Sequence, residues 1–343
     1  LLTLAKVIKK KKESKGKLNH ESYNWIGGNT IVVQVGDQVD RCRPNRRGAC
    51  KEEGYTQNDE DSDEKILKFM YKLNKMARKE EGYVISLLGN HEIMNVTGDT
   101  RYVSHKGLVG YADNADEVDI IKSGKTDVEV GEEVRKELFK PGGRIGKFLG
   151  CTRQSIVIIG NYLFVHASIL DKLANSFPGD KGIQKVNTVI REWLLGKRSD
   201  IKDIKKNINI RDLLFSSDIS PFLPRNLGKL DSNLIMKKEP ICKKWTDNVF
   251  KKYGLDGMII GHTPQGEKNP ITFTCVGRRK KSKKAVFVAR VDGMFSDGFN
   301  AFRTSESETE KKLQCLEILG NGKEVRILST TPLDKDYDFI SGN

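Results

Sequence analysis

The sequence lacks any long apolar run and any recognisable secretion signal. No stretch of about 18 consecutive apolar residues occurs, which argues against a membrane-spanning helix. Charged residues follow the short apolar start, Leu1 to Ile8, too soon for a signal peptide with its cleavage site. We therefore expect a chain that does not contact a membrane.

Cysteine is also scarce. Six cysteines scattered over 343 residues do not make a disulfide framework. We therefore expect a reducing setting, cytoplasmic or nuclear, and no disulfide-linked partner. Cys42 and Cys50 are close enough in sequence either to pair or to bind a metal, but no second close pair completes a zinc set.

The basic runs of the chain contain no interleaved aromatic residues. The 60 Lys and Arg against 46 Asp and Glu give a formal net charge of +14, and runs such as Lys9–Lys12 and Arg278–Lys284 contain much of the excess. Such a field attracts phosphorylated or nucleic-acid partners. Without aromatic rings to stack on bases, nucleic-acid binding is not favoured, and we interpret most of the runs as solvated surface.

Apolar periodicity predicts one α/β domain spanning residues 1–343, with insertions at 43–61 and 98–150. The predicted helices are 1–12, Asp63–Glu81, Glu132–Phe139 and Ile183–Leu195. The predicted strands are Ile31–Val35, Tyr83–Leu88, Ser155–Ile159, Tyr162–Val165, Gly257–Ile260, Ala285–Val291, Leu313–Leu319 and Glu324–Leu328. The first two strands flank a helix, which predicts parallel pairing through a right-handed crossover.

Polar residues capable of chemistry follow several of these strands. The segments are Gly36-Asp37-Gln38-Val39-Asp40-Arg41, Gly89-Asn90-His91-Glu92 and Gly261-His262-Thr263. Ligands bind beyond the carboxyl ends of strands in open α/β sheets, so we expect these side chains to converge. They offer carboxylate, amide and imidazole ligands for a metal, and an arginine that can hold phosphate. The sequence therefore predicts a metal-dependent phosphoesterase.

Single residues in these segments have ordinary alternatives. Asp37 alone would be interpreted as a turn residue, but Asp40 and Arg41 in the same loop favour a site. Of the five histidines, His91, His166 and His262 directly follow apolar strands, which favours a shared metal site over separate buried histidines. We interpret the other two, His20 and His105, as surface residues.

Taken in order, these segments and Val165-His166-Ala167 resemble the motifs of the PPP-type, calcineurin-like metallophosphatases. Leu87–Asn95 and Gly261–Gln265 are most similar to the Shewanella-like phosphatase branch. The resemblance implies a calcineurin-like metallophosphoesterase fold, with two mixed β-sheets packed face to face and flanked by helices. It also implies two metal ions, either Mn, Fe or Zn, because this ligand mixture suits all three.

The resemblance assigns roles to single residues. Asp37 would bridge the two metals, and Asn90, His166 and His262 would complete the shell of one of them. His91 would be the general acid, oriented by Asp40. Arg41 would contact phosphate, with Arg225 at the end of Ser220–Arg225 as a second, weaker clamp. Asp292 occupies a motif position to which we assign no role.

The chain departs from the family pattern at three places. Cys42 stands where the family has Gly, and Ala167-Ser168 stands where it has Gly-Gly. The first motif, an Asp-x-His after the first strand, is absent. We therefore expect a sequence truncated at its N-terminus, lacking the first strand. One metal site would be complete, and the chain itself would be weakly active or inactive.

The leading functional prediction is a protein phosphatase that acts on phosphoserine and phosphothreonine. Phosphotyrosine is the alternative substrate residue. The resemblance implies attack by a metal-bound hydroxide and proton donation by the histidine, without a phosphoenzyme. The alternatives are a dinucleoside-polyphosphate hydrolase and a non-catalytic module that binds phosphate or nucleic acid.

Overall fold

The part of the chain that the structure describes contains twelve strands and ten α-helices. The computed structural model describes residues 1–11, 22–197, 208–266, 269–282, 284–302 and 312–332, so His20 lies outside the described residues. The strands are β1 (Ile8–Lys10), β2 (Tyr23–Trp25), β3 (Ile31–Gln34), β4 (Tyr83–Leu87), β5 (Arg153–Gln154), β6 (Ile156–Ile159), β7 (Tyr162–Val165), β8 (Gly257–Ile260), β9 (Thr272–Arg278), β10 (Ala285–Arg290), β11 (Gln314–Leu319) and β12 (Glu324–Ser329).

The helices carry much of the apolar core. They are α1 (Asp63–Ala77), α2 (Asn90–Val96), α3 (His105–Ala112), α4 (Asp127–Phe139), α5 (Arg144–Thr152), α6 (Asp171–Ser176), α7 (Gly179–Leu194), α8 (Ile210–Phe215), α9 (Pro240–Trp245) and α10 (Lys251–Tyr253). Among the described residues, no helix combines the length and the apolar character needed to cross a lipid bilayer.

Strands β3, β4 and β5 form a sheet in that order, parallel throughout. Helix α1 connects β3 to β4 and buries its apolar stripe, including Leu67, Met70 and Leu73. Its first turn contains Asp63 and Glu64, which the positive end of the helix dipole favours. The predicted helix and the predicted parallel pairing are both confirmed here.

Five further strands form a mixed sheet in the order β6-β7-β8-β10-β9. The outer pairs are antiparallel, while β7, β8 and β10 run parallel. The prediction of two mixed sheets therefore holds for this sheet, whereas the three-stranded sheet is parallel. Strand β9 is absent from the predicted strands, although the structure buries Phe273–Val276 at every position.

Both faces of the five-stranded sheet are covered. Met258 and Ile260 of β8 belong to the large core cluster that also contains residues of α4 and α7. Ile259, which lies between them, packs in a second cluster with Val325 and other residues of the β11–β12 hairpin. Because successive strand residues point to opposite faces, the sheet is buried between helices and a hairpin.

The predicted N-terminal helix is wrong in its described part. Residues Ile8–Lys10 form β1 and pair antiparallel with β2. Val7 and Ile8 are buried in a cluster with Trp25 and the apolar face of α1. Tertiary packing therefore overrides the local helical spacing of the apolar residues.

The stretch 98–150 contains three helices, where the sequence predicts only one. Helix α4 begins five residues earlier than predicted, because Thr126 and Glu129 form a capping box: the Glu129 N–H donates to Thr126 Oγ1 at 3.3 Å, and the Thr126 N–H donates to Glu129 Oε2 at 2.9 Å. Helix α4 contacts α2, α3 and α5, so this stretch is part of the packed core.

Two disulfides bear on the expectation of a reducing setting, and one of them is the Cys42–Cys50 pairing that the sequence left open. Cys42 pairs with Cys50, and Cys242 pairs with Cys275 across 33 residues of sequence. Cys151 and Cys315 are free thiols. Disulfides are rare in a reducing cytosol, so the cysteines no longer support the predicted cytoplasmic setting.

Glu132 on α4 connects three parts of the chain, and we predict a pH-dependent contribution to stability. It accepts hydrogen bonds from Thr100 at 2.7 Å and Lys136 at 2.8 Å, and it pairs with Lys51. Burial opposes its charge, but these partners lower the pKa of Glu132 to about 2. Its stabilising effect is therefore present above the ordinary pKa and is lost as the pH falls from about 4.5 to about 2.

The Glu132→Gln variant should lower the free energy of unfolding at pH 7 by about 1 kcal/mol, after discounting for exposed lysine partners. Urea denaturation at a series of pH values should show that the difference from wild type shrinks below about pH 4.5 and disappears only below about pH 2. The matched control is Glu133→Gln, which removes a surface pair with Lys125. A difference that persists unchanged at low pH would contradict this account of Glu132.

Candidate active site

The loop that follows β3 approaches two other segments closely. Gly36 has φ +97°, and a Cβ atom there would lie 2.7 Å from the Gly89 nitrogen and 2.8 Å from His166 Nδ1. Only glycine therefore allows these three segments to meet at this point.

Three polar residues of the site have left-handed backbone conformations. Asp37, Asp40 and His262 have φ values of 55°, 72° and 64°. Such a conformation costs about 1–3 kcal/mol and persists where the surrounding structure imposes it, often at functional sites.

Glu92 holds the first two motif loops together. Its buried carboxylate accepts hydrogen bonds from the backbone N–H groups of Asp37 at 2.9 Å, Gln38 at 2.6 Å and Gly89 at 2.6 Å. Burial and the neighbouring charge of Asp37 raise the pKa of Glu92. The residue at the end of the second motif thus fixes the loop of the first.

Four side chains from four segments converge beyond the strand ends. His166 Nε2 lies 2.9 Å from Asn90 Oδ1, 3.2 Å from His262 Nδ1 and 3.4 Å from Asp37 Oδ2. His262 Nδ1 lies 2.8 Å from Asn90 Oδ1. Asp37, His166 and His262 form a group that could hold a metal ion.

The outer nitrogens of the two histidines determine which atoms face this centre. His166 Nδ1 lies 2.8 Å from the Val35 carbonyl, and His262 Nε2 lies 3.0 Å from the Leu223 carbonyl. In a neutral ring each outer nitrogen is therefore the N–H donor, and His166 Nε2 and His262 Nδ1 are the nitrogens that carry a lone pair. Burial, His166 and Arg225 lower the pKa of His262 to about 3, so its ring is neutral.

The converging atoms are all acceptors, and this arrangement fits a cation. Two imidazole nitrogens, an amide oxygen and a carboxylate oxygen each lie 2.8–3.4 Å from at least one other member of the group, and in these tautomers no hydrogen atom bridges the two histidines. Ligands about 2.1 Å from a tetrahedral metal lie about 3.4 Å apart. Burial alone would raise the pKa of Asp37, but His166, His91 and His262 lower it, so the carboxylate is charged.

His91 and Asp40 form a hydrogen-bonded pair beside this centre. His91 Nδ1 lies 2.8 Å from Asp40 Oδ2, and His91 Nε2 lies 4.0 Å from Asp37 Oδ2. Because Nδ1 donates to the carboxylate, Nε2 is the nitrogen that faces the centre. Burial disfavours the charged ring, but Asp37 and Asp40 raise the pKa of His91 above its ordinary value.

The predicted phosphate-binding arginines lie in different surroundings. Arg41 pairs with Glu60 at 3.0 Å and Asp297 at 3.3 Å. Arg225 is exposed and lies close enough to lower the pKa of His262. The segment that contains Arg225 contacts the site, because the Leu223 carbonyl accepts a hydrogen bond from His262 Nε2.

Asp292 lies near the converging side chains. Burial and the charge of Asp37 raise the pKa of Asp292, and its Oδ1 accepts a hydrogen bond from the Met294 N–H at 3.3 Å. Its neighbour Val291 donates to the Ile260 carbonyl, which aligns this segment with the end of β8.

Several residues of the site have no role in the sequence prediction. They are Glu92, Asn95, Arg135 and Arg43. Glu92 and Asn95 are part of the quoted motif, but only the fold reveals their partners. Arg135 carries a weak signal, because it lies four residues from both Gly131 and Phe139 on the buried face of an otherwise charged helix. Arg43 donates to the Asp40 and Cys42 carbonyls, both at 2.8 Å, and so braces the motif loop.

The chain has relatives among known proteins, although no family model matches it. It is 32% identical over 270 residues to an uncharacterized protein of Acanthamoeba polyphaga mimivirus, covering 76% of this chain and 98% of that protein. It is 35% identical over 250 residues to Shewanella-like protein phosphatase 1 of Plasmodium berghei, covering 73% and 55%. It is 30% identical over 199 residues to Shewanella-like protein phosphatase 2 of Arabidopsis thaliana, covering 51% and 45%. The chain thus spans about half the length of the two named phosphatases.

The fold is also that of a solved structure. A mutant of a cold-active protein tyrosine phosphatase matches with a TM-score of 0.53 and 20% identity, covering 89% of this chain and 71% of that one. At this level of identity the likeness concerns the fold alone.

Proposed function

Because the chain belongs to the Shewanella-like branch of the phosphoprotein phosphatases, we propose that it is a metal-dependent hydrolase of phosphomonoesters on proteins. The observation that carries the proposal is the convergence of four acceptor atoms, from Asp37, Asn90, His166 and His262, beside the His91–Asp40 pair.

These four side chains would hold the metal ion. Their mixture of carboxylate, amide and imidazole suits Mn, Fe or Zn. The bound ion would act as a Lewis acid toward phosphoryl oxygens and lower the pKa of water. We propose that a second ion would also use Asp37, and that these four side chains would hold one of the two ions.

His91 would donate a proton to the leaving oxygen of the ester. Its Nε2 faces the centre, and Asp40 holds Nδ1, so the ring presents one nitrogen in a fixed direction. Asp37 and Asp40 raise the pKa of His91, against the effect of burial, which favours the protonated ring that donation requires.

Arg41 would bind a phosphoryl oxygen once the substrate is present, and we predict an effect on phosphate affinity. The Arg41→Met variant should raise the KM for p-nitrophenyl phosphate and the inhibition constant of inorganic phosphate by about 10-fold, as expected for losing a charge-assisted hydrogen bond. Glu60→Gln should lower both constants, because it removes one competing carboxylate.

The control for Arg41 is another arginine of the same region. Arg46 is exposed and pairs with Glu52, so Arg46→Met should leave both constants unchanged. Inhibition by inorganic phosphate is measured at fixed metal concentration. Equal constants for wild type and Arg41→Met would show that Arg41 does not contact the phosphoryl group.

We propose phosphoserine and phosphothreonine as the physiological esters, with phosphotyrosine as the competing choice. Matched peptides that differ only in the phosphorylated residue would rank the three. Hydrolysis of a dinucleoside polyphosphate without release of phosphate from any peptide would instead favour the nucleotide hydrolase.

The direct test is phosphate release by the purified chain. We expect turnover of p-nitrophenyl phosphate with added Mn and its loss with a chelator. A preparation that binds metal but shows no turnover with Mn, Fe or Zn would overturn the proposal. Binding of DNA with a steep salt dependence, without turnover, would favour the nucleic-acid module instead.

A further inference from the structure

A buried chain of hydrogen bonds extends from His91 to helix α4. His91 contacts Asp40, Asp40 contacts Asn95 at 2.8 Å, and Asn95 contacts Arg135 at 2.7 Å. Arg135 then contacts Asp63 of α1 at 2.7 Å and the Gly107 carbonyl of α3 at 3.3 Å. The arginine is fully buried, so its charge is satisfied entirely by the protein.

Arg135 determines the orientation of the Asn95 amide. An arginine only donates, so the Asn95 atom that faces Arg135 Nε must be the amide oxygen. The amide nitrogen therefore faces Asp40 Oδ1, and it also donates to the His91 carbonyl at 2.9 Å. With Oδ1 held in this way, Asp40 presents Oδ2 to His91 Nδ1. Without Arg135 the Asn95 amide oxygen loses its donor, and the amide that holds Asp40 Oδ1 is anchored only through its nitrogen.

Arg135 also supplies the positive charge next to the carboxylates of Asp40 and Asp63. Its Nη2 lies 2.7 Å from Asp63 Oδ2 and 3.6 Å from Asp40 Oδ1. The Asp40 side chain has no solvent exposure, and neighbouring buried carboxylates are unfavourable without a cation. The rings of Tyr111 and Phe139 lie 5.1 Å and 4.7 Å from the guanidinium and keep it in place.

We infer that Arg135 is a positioning residue for proton donation by His91, acting through Asn95 and Asp40. This inference rests on the proposed function. The inference also gives the stretch 98–150 a part in the reaction, because α4 supplies Arg135, which supports the His91–Asp40 pair through Asn95.

The dependence of rate on the leaving group tests the inference. A proton donor matters more for phenyl phosphate, a poor leaving group, than for p-nitrophenyl phosphate. In Arg135→Met, kcat for phenyl phosphate should fall about 10- to 100-fold more than kcat for p-nitrophenyl phosphate, because the acid is misplaced. Metal content, measured by mass spectrometry, should stay at the wild-type level.

Two further variants separate positioning from general destabilisation. Arg135→Lys keeps the buried charge but loses the planar fork, so it should shift the same ratio in the same direction by less. If Arg135→Met does not fold, the Arg135→Lys variant tests the inference by itself. The matched control is Val134→Ala, which removes buried methyl groups from the same helix and should keep the wild-type ratio.

The outcomes distinguish a failure of the inference about Arg135 from a failure of the proposed function. If wild type hydrolyses both esters and both Arg135 variants keep its rate ratio, the inference is overturned and the proposed function stands, whatever the loss of overall rate. If wild type hydrolyses neither ester with any of the three metals, the proposed function fails, and the inference fails with it.

Discussion

The His91→Asn variant is expected to hydrolyse phenyl phosphate about 10²- to 10⁴-fold more slowly than wild type, because it cannot protonate the leaving oxygen. Asn keeps a polar group of similar size next to Asp40 but has no titrating nitrogen. Because His91 contributes no atom to the group of converging acceptors, metal content should be unchanged. Steady-state kinetics and metal analysis on the same preparation measure both effects.

The control for His91 is a histidine outside the site. His105 lies at the start of α3, where its ring contacts the Lys51 carbonyl at 2.9 Å. His105→Asn should therefore retain the wild-type rate. Wild-type turnover in His91→Asn would show that another group, or water, protonates the leaving oxygen. Loss of metal in that variant would show that His91 is a ligand.

The Asp37→Asn variant is expected to lose metal. Asn tolerates the left-handed backbone of position 37 and can still accept the His91 N–H, which donates to Asp37 Oδ1 at 3.0 Å. The substitution removes the negative charge from the centre. Changing an outer partner of a metal ligand lowers metal affinity by roughly 10- to 100-fold. Removing the charge of the ligand itself should lower the metal affinity by more than this.

Calorimetric titration with Mn or Zn measures the loss in Asp37→Asn. The matched control is Asp99→Asn, since Asp99 pairs with Arg101 on the surface. Asp99→Asn should bind metal as wild type does. Unchanged affinity in Asp37→Asn would remove Asp37 from the set of ligands.

The parts of the fold that were predictable are those encoded by local pattern. The apolar runs before Gly36, Gly89 and Gly261 are strands or strand ends, and the amphipathic stripe of α1 is a helix. Because parallel strands end at one edge, the polar residues after them converge. The sequence therefore predicts that Asp37, Asn90, His166 and His262 lie close together, and the structure brings them together.

The features that escaped prediction depend on distant partners. Ile8 belongs to a strand because Trp25 and α1 cover it, and nothing in the first residues encodes that. Arg41 pairs with Asp297, which lies 256 residues away in sequence. Arg135 is buried because Asp63 and Asn95 meet it from two other helices. Local spacing carries no information about such contacts.

Anomalous diffraction from crystals soaked in Mn tests the central claim most directly, because it locates the ion without reference to activity. We expect a peak about 2.0–2.3 Å from Asp37 Oδ2, Asn90 Oδ1, His166 Nε2 and His262 Nδ1. We also expect the peak to be lost in Asp37→Asn. A peak elsewhere, or none while these four atoms remain in direct contact, would contradict the account.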